Sequence, residues 1–315
     1  MKVLIVGHFN ETAQSKITGY FPQDWNVIIV PPGQDMLQHI EDCQVLIPEH
    51  IQVDPSLLAS AKKLKLVQTG AGYDNVDIPA CTQLGIWVAN AAGVNAQAVA
   101  EHVMALMLAY YKNIPFLDHF MKNRMDEHHL EYAGSELEGK TMGIIGLGAI
   151  GKKVAAFCSA FDMNVLAYAR NTEAPSDGIV KMTDFDTLLS TSDIVSVHVP
   201  LTEQTKHLMN QEVFKKMKDT AIFINTARGG IVNERDLLDA LKNGDISGAC
   251  LDVYESEPLP IDSELRTLDN VILTPHTAGM PDGRKFHQKR YDFFIKNIKR
   301  VQNGEEPESR LNQLI

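Results

Sequence analysis

MGIIGLGAIGKKVAAFCSAF, Met142 to Phe161, decides the fold. A short apolar run, MGIIG, ends in three glycines at GxGxxG spacing, Gly146, Gly148 and Gly151, and a helical segment follows at once. In that context each glycine has a separate task. Gly146 permits a tight turn, Gly148 lets backbone approach a pyrophosphate, and Gly151 lets helix and strand pack closely. The helix start, with Ala149 and Ile150, adds free N–H groups and a partial positive charge for the phosphates. A glycine turn in another α/β protein, or a methyltransferase nucleotide site, gives the same local pattern. The strand before it and the helix after it favour a dinucleotide.

Outward from this turn the chain repeats the same alternation. Strand-like runs stand at 3–7, 27–30, 44–48, 65–68 and 86–90, and a second series at 142–146, 164–169, 194–199, 221–225, 248–253 and 271–275. Most lack strict polar alternation, and helix-like segments of about a dozen residues separate many of them, the signature of parallel sheets covered on both faces. The fold class expected is therefore α/β with doubly wound parallel sheets. A long apolar helix at about 97–112 and a charged, histidine-rich stretch at 117–139 part the two series. From about 282 the chain reads as a basic amphipathic helix with an apolar stripe of Phe286, Tyr291, Phe294, Ile295, Ile298 and Val301, its basic side solvated.

The 315 residues suggest two domains at roughly 100–200 residues each. A net charge of −11 argues against nucleic acid and anionic membranes as partners, and means that an anionic substrate needs locally placed cations. Cys43, Cys81, Cys158 and Cys250 are scattered, so neither a disulfide framework nor a zinc site is expected, no metal is called for, and a reducing cytoplasm fits. The opening MKVLIVGHFN is too short an apolar run for a signal peptide and reads as a strand. AVAEHVMALMLAYYKNI falls short of the ~18 clean apolar residues of a membrane span. Being apolar nearly all round, it calls for burial on several sides, and a homodimer contact is one way to supply it.

The next strand ends in Ala169, Arg170 and Asn171, about 20 residues beyond the glycines, where an acid normally accepts bonds from the adenine ribose 2′-hydroxyl. Ala169 removes both that acceptor and its repulsion of a 2′-phosphate, and Arg170 supplies a planar set of donors suited to phosphate. NADP(H) is expected in preference to NAD(H), with NAD(H) still possible.

Three further segments carry polar residues just past strands. They are NTARGGIVNERDLLDAL (225–241) with Arg228, LDVYESEP (251–258) with Asp252 and Glu257, and TPHTAG (274–279) with His276. The carboxyl edge of an open parallel sheet is where ligands bind, so an arginine, a carboxylate and a histidine brought there make a proton-transfer site. At this point the sequence resembles the D-isomer-specific 2-hydroxyacid dehydrogenases. The resemblance runs from KLVQTGAGYDNVD (65–77) through AVAEHVMALML, ELEGKTMGIIGLGAIG, VHVPLTEQT and the three segments above.

The resemblance implies a Rossmann cofactor domain, 97–283, inserted into a flavodoxin-like substrate domain, 1–96 with 284–315. It implies reduction of a small 2-keto acid of the glyoxylate or hydroxypyruvate type, with His276 as proton donor, Glu257 as its partner and Arg228 as substrate anchor. Charge then assigns the steps. As hydride reaches C2, negative charge grows on the carbonyl oxygen. Arg228 stabilises it, His276 delivers a proton, and an anionic Glu257 favours the imidazolium. Gly70, Ala71, Gly72 and Tyr73 would present N–H groups to the substrate carboxylate. Asp252 would meet the nicotinamide amide, and Val199, Pro200, Thr205, Thr226, Ala227 and Gly279 would line the cofactor.

Departures from the family pattern are Ala149 in place of a frequent arginine and Pro281 in place of a frequent threonine. No regulatory domain is expected past the last helix. Two other activities remain open. One is NAD-dependent phosphoglycerate oxidation, with Lys62, Lys63 and Lys65 for the phosphate. The other is a corepressor-like protein that senses dinucleotide. A formate dehydrogenase is disfavoured because that branch carries glutamine at the place of Glu257.

Overall fold

The computed structural model describes residues 1–49, 51–123, 134–170, 178–280 and 288–314. Asn171, Pro281 and Phe286, singled out above, lie outside them. Contacts divide the chain into two compact units, Met1–Asn95 with Asp282–Ile315, and Ala96–Pro281.

The first unit runs β1 (Lys2–Val6), α1 (Glu11–Tyr20), β2 (Asn26–Val30), α2 (Gln34–Ile40), β3 (Val45–Pro48), α3 (Pro55–Ser60), β4 (Leu66–Thr69), α4 (Ile78–Gln83) and β5 (Trp87–Asn90), and closes with α11 (Gln288–Gln302). Its sheet is parallel throughout, in the order β2-β1-β3-β4-β5, the flavodoxin-like arrangement. Successive side chains of a strand point to opposite faces. Leu4, Val6, Leu46 and Val67 therefore fill one core, while Val3, Ile5, Val45, Ile47 and Leu66 meet Tyr291, Phe294 and Ile298 of α11 in the other. Burial on both faces explains why these strands read as apolar runs rather than alternations. Lys289, Lys296 and Lys299 stay exposed on the far side of α11. Arg290 does not join them: its side chain is largely buried and pairs with Glu49.

A returning helix needs a polar lock as well as an apolar stripe, and Asn297 supplies one. It is fully buried and donates to Gln68 Oε1 (2.8 Å) and to the Glu308 carbonyl (3.0 Å). Its Oδ1 accepts the Glu308 N–H (2.8 Å). Beyond it the tail lies along β5, where Leu311 N–H donates to the Val88 carbonyl and Asn312 Oδ1 accepts Val88 N–H.

The second unit holds α5 (Ala96–Tyr111), α6 (Ile114–Asn123), β6 (Thr141–Ile145), α7 (Ala149–Ala160), β7 (Asn164–Tyr168), β8 (Lys181–Met182), α8 (Phe185–Thr191), β9 (Ile194–Val197), α9 (Gln211–Phe214), β10 (Ile222–Asn225), α10 (Glu234–Asn243), β11 (Gly248–Leu251) and β12 (Val271–Leu273). Its seven strands are all parallel, in the order β12-β11-β10-β9-β6-β7-β8. Counted from β6 this is 3-2-1-4-5-6 with one more strand, so strand order reverses between β6 and β9. Sequence patterning missed β8, whose two residues carry no apolar run. It also read the residues of α6 partly as a surface excursion.

The buried residues of α5, among them Val99, Val103, Met104, Leu106 and Met107, include the Ala100–Met107 side of a core shared with β6, α7 and β11. Its apolar surroundings are therefore supplied largely within its own chain. All four cysteines are free and buried, and burial pushes their thiols up, to about 12 for Cys43, Cys158 and Cys250 and about 11 for Cys81. Among the described residues no helix is long and apolar enough to cross a membrane.

Asn297→Ala strands buried donors and acceptors on Gln68 and Glu308, which costs roughly 2 kcal/mol. Thermal unfolding followed by circular dichroism is expected to show a midpoint lowered by roughly 5 °C, and an unchanged midpoint would contradict the role of this lock.

Candidate active site

Because every strand of the second sheet runs the same way, the segments leaving β6, β7, β9, β10, β11 and β12 emerge at one edge. Gly146 follows β6, Arg170 follows β7 and Val199 follows β9. Arg228, Asp252 and His276 follow the next three strands in order.

The glycine turn has the geometry that its spacing suggests. Gly146 is left-handed (φ 100°), and a Cβ there would lie 2.7 Å from the His198 carbonyl oxygen. A Cβ on Gly151 would lie 2.3 Å from the Gly146 carbonyl oxygen, so only glycine lets α7 sit this close to its strand. Gly148 caps α7 without a side-chain hydrogen bond, and nothing lies within 4 Å of the place its Cβ would take. By contrast α1, α3, α4, α8, α9 and α10 begin at Asn10, Asp54, Asp77, Asp184, Asn210 and Asn233, whose side chains accept an N–H of the first turn. The start of α7, with Gly148 and Ala149 exposed, is left open to an external anion.

Nearby the Thr226 hydroxyl is buried and has no partner among the described residues, as suits a side chain that meets a bound ligand. Thr205 Oγ1 donates to the Pro200 carbonyl (2.6 Å), which shapes the loop after Val199. Gly279 lies in the turn that Met280 N–H closes onto the Thr277 carbonyl. Arg170 is exposed, and its Nη1 donates to Gln204 Oε1 (2.9 Å). This donor set, an open glycine cradle with an orphaned hydroxyl, fits a dinucleotide.

The acid–base pair is direct: His276 Nδ1 and Glu257 Oε2 are 2.6 Å apart, each side chain about one-third exposed. Partial burial works to raise the Glu257 pKa. The hydrogen bond and charge of His276, the Tyr254 N–H on Oε1 (3.1 Å) and the Arg228 charge outweigh it and leave the carboxyl below its usual range. Arg228 is held by its loop. Asn225, 1% exposed, accepts Ala227 N–H and donates to the Arg228 carbonyl, and Arg228 Nη1 donates to the Ala227 carbonyl. A Cβ on Gly229 would lie 1.9 Å from the Tyr254 carbonyl, so the Arg228 and Glu257 loops are in backbone contact. His207 Nε2 and Glu255 Oε1 (2.6 Å) tie the same region from the β9 side.

Asp252, at the end of β11, is tied to the loop after β12. It is fully buried, and both oxygens hold the loop that carries His276. Oδ1 accepts the Thr274 hydroxyl (2.6 Å) and Thr277 N–H (2.9 Å), and Oδ2 accepts Ala278 N–H (2.9 Å). Its carbonyl accepts His276 N–H (2.8 Å). Asp252 therefore acts on the histidine's loop. Sequence reasoning also passed over Asn225, Thr274 and His198. Their only signal was a polar residue at the end of an apolar run. His198 is half-buried, and loss of solvent around its ring pushes it down to about 4, so that it stays neutral behind the glycine turn.

In the first unit, Gly70, Ala71, Gly72 and Tyr73 follow β4. The Gly70 carbonyl accepts Ala91 N–H (2.9 Å) and the Ala71 carbonyl accepts Asn90 Nδ2 (2.9 Å). No described residue accepts their own N–H groups, which remain available as donors. Of the three lysines considered for a phosphate, Lys62 pairs with Glu41 (2.6 Å).

Comparison with known proteins agrees with this architecture. Residues 104–278 match the family model for the NAD-binding domain of D-isomer-specific 2-hydroxyacid dehydrogenases. A glyoxylate reductase of Thermofilum pendens is 39% identical over 299 residues, 92% of this chain and 86% of that protein. A D-3-phosphoglycerate dehydrogenase of Archaeoglobus fulgidus is 42% identical over 287 residues, 89% of this chain, and the chain spans about half (53%) of that protein's length. Among solved structures, an acyclic imino acid reductase in complex with NADPH and D-Arg aligns with a TM-score of 0.86 at 27% identity, over 99% of this chain and all of that one. The chain belongs to the D-isomer-specific 2-hydroxyacid dehydrogenase family.

A carboxyl held below its usual range contributes stability that is present above its unfolded pKa, near 4.5, and lost as pH falls through the lower folded value. Thermal unfolding of wild type and Glu257→Gln is therefore expected to differ near neutrality and to converge well below pH 4.5. A difference that grows on acidification would contradict the pairing.

Proposed function

We propose that this chain reduces a small 2-keto acid, of the glyoxylate or hydroxypyruvate kind, to its D-2-hydroxy acid with a reduced nicotinamide cofactor, NADPH in preference to NADH. The observation that carries the reading is the 2.6 Å contact between His276 and Glu257, on the sheet edge that also bears the open glycine turn. When bound, the nicotinamide supplies the hydride.

The rest is the work of the chain's own residues. The N-terminus of α7 with Gly146, Gly148, Ala149, Ile150 and Gly151 holds the pyrophosphate. Val199, Pro200, Thr205, Thr226, Ala227 and Gly279 line the cofactor. Arg228 stabilises the negative charge that grows on the carbonyl oxygen and pairs with the substrate carboxylate, the function of a preorganised cation at a developing oxyanion. In the other unit, Gly70, Ala71, Gly72 and Tyr73 keep backbone N–H donors of the kind that a substrate carboxylate accepts. His276 delivers the proton from Nε2, because Nδ1 is engaged by Glu257. Arg170 receives the 2′-phosphate of NADPH: its partner Gln204 is neutral, so it orients the guanidinium without cancelling its charge.

We further infer a cytoplasmic homodimer. Four free, buried cysteines fit a reducing compartment. α6 buries none of its residues, and one face of it exposes Ile114 and Met121, which a second copy would cover.

A panel of 2-keto acids with both reduced cofactors tests the activity. His276→Gln is expected to lower kcat by about 10²–10⁴-fold while cofactor affinity survives. Wild-type turnover in that variant would end the assignment, and faster oxidation of 3-phosphoglycerate than reduction of hydroxypyruvate would move the substrate to the phosphorylated class. In the same assays kcat/KM is expected to favour NADPH. Arg170→Ala should shrink that preference by about tenfold, the value of one charge-assisted contact, and a clear preference for NADH in wild type would refute the role of Arg170.

A further inference from the structure

His276 is held in an unusual way. Its φ is 54°, in the left-handed region that costs a residue with a side chain about 1–2 kcal/mol. Such a conformation persists only where its surroundings over-determine it. The anchors are the bonds to Asp252 already described, and they do not end at Asp252. The Thr274 hydroxyl has one hydrogen, and the 2.6 Å contact commits it to Asp252 Oδ1. At the same time Thr274 Oγ1 lies 3.0 Å from Nε2 of His102, so there the hydroxyl oxygen must accept, and His102 Nε2 must carry a hydrogen. The same nitrogen is 3.6 Å from Asp252 Oδ1. His102 stands on α5, which packs on α7 and β11 and joins the core of its unit. A chain of hydrogen bonds thus runs from α5, through the Thr274 hydroxyl and a fully buried carboxylate, to the backbone N–H groups of Thr277 and Ala278 just past His276.

We infer that His102 is a positioning residue for His276: its Nε2–H fixes the direction of the Thr274 hydroxyl, and so the Asp252 carboxylate that holds the left-handed turn. The inference rests on His276 as proton donor. His102 acts on the rate of proton delivery and not on cofactor or substrate binding. What the site needs is a hydrogen-bond donor at the reach of Nε2, which His102 supplies. Glutamine can present an N–H at similar reach, and leucine cannot.

The test compares wild type, His102→Leu and His102→Gln, with Thr274→Val interrupting the same chain from the other side. His102→Leu is expected to lower kcat about ten- to a hundredfold, the scale of a misplaced catalytic group, with KM and cofactor affinity within about twofold of wild type. His102→Gln should recover most of the loss, and Thr274→Val should reproduce the leucine result. A second readout is independent of turnover. The downfield proton resonance of His276 Nδ1–H, identified as the one that Glu257→Gln abolishes, should broaden or vanish in His102→Leu and persist in His102→Gln. Retention of wild-type kcat and resonance in His102→Leu or Thr274→Val overturns the inference, as does equal impairment of the leucine and glutamine variants. Absence of keto-acid reduction in wild type would refute the functional reading instead, and the resonance would still decide whether His102 positions His276.

Discussion

One buried carboxylate organises the site. Asp252 has no exposed surface, and a charge so placed is tolerated only when it is fully hydrogen-bonded. Its partners are the hydroxyl and N–H groups of the segment 274–278, so satisfying the charge and shaping the loop are one event. The result is a non-glycine residue with a left-handed backbone and its ring against Glu257. The neighbouring loop is fixed as tightly by different means. Gly229 touches the Tyr254 carbonyl with no room for a Cβ, and Asn225 bonds both the Ala227 N–H and the Arg228 carbonyl just past Thr226. Rigid backbone beneath mobile chemistry is what a group that must deliver a proton to one place requires.

The parallel sheet supplies the address. With all strands aligned, each βα connection places its first residues at the same edge, and the reversal of strand order between β6 and β9 opens a crevice there. The division of labour along that edge follows from position. In the proposed reading, Gly146 and Val199, beside the reversal, serve the cofactor, while Arg228, Glu257 and His276, further along, carry the charges and the proton. In that proposed reaction the cofactor contributes reducing power, and the chain contributes orientation, a cation for the oxyanion and an acid whose carboxylate partner is held below its usual range.

Much of this was legible in the sequence, because both the strand runs and the glycine spacing are local signals. The strands of four or five buried residues stand out as apolar runs, and Arg228, Glu257 and His276 could be placed because each follows one of them. What escaped has a common physical character. β8 is two residues long and is recognised only by its pairing with β7. The loop contacts of Asp252 were not legible, since its partners lie more than 20 residues away on another strand's loop. His102 reads as a polar interruption of an apolar helix, and its bond to Thr274 spans 172 positions. The apolar character of α5 suggested a subunit contact, yet much of that surface is consumed by its own core, while α6 keeps its apolar side chains outside. Patterning shows that a residue is buried but not what buries it.

In the proposed reaction one face of a 2-keto acid receives hydride while His276 protonates its oxygen, in a site that admits a single orientation. Chiral chromatography of the glycerate formed from hydroxypyruvate and NADPH reads that orientation. The D enantiomer alone is expected, in amounts equal to the NADPH consumed. Formation of L-glycerate or a racemate, or consumption of NADPH without glycerate, would contradict it.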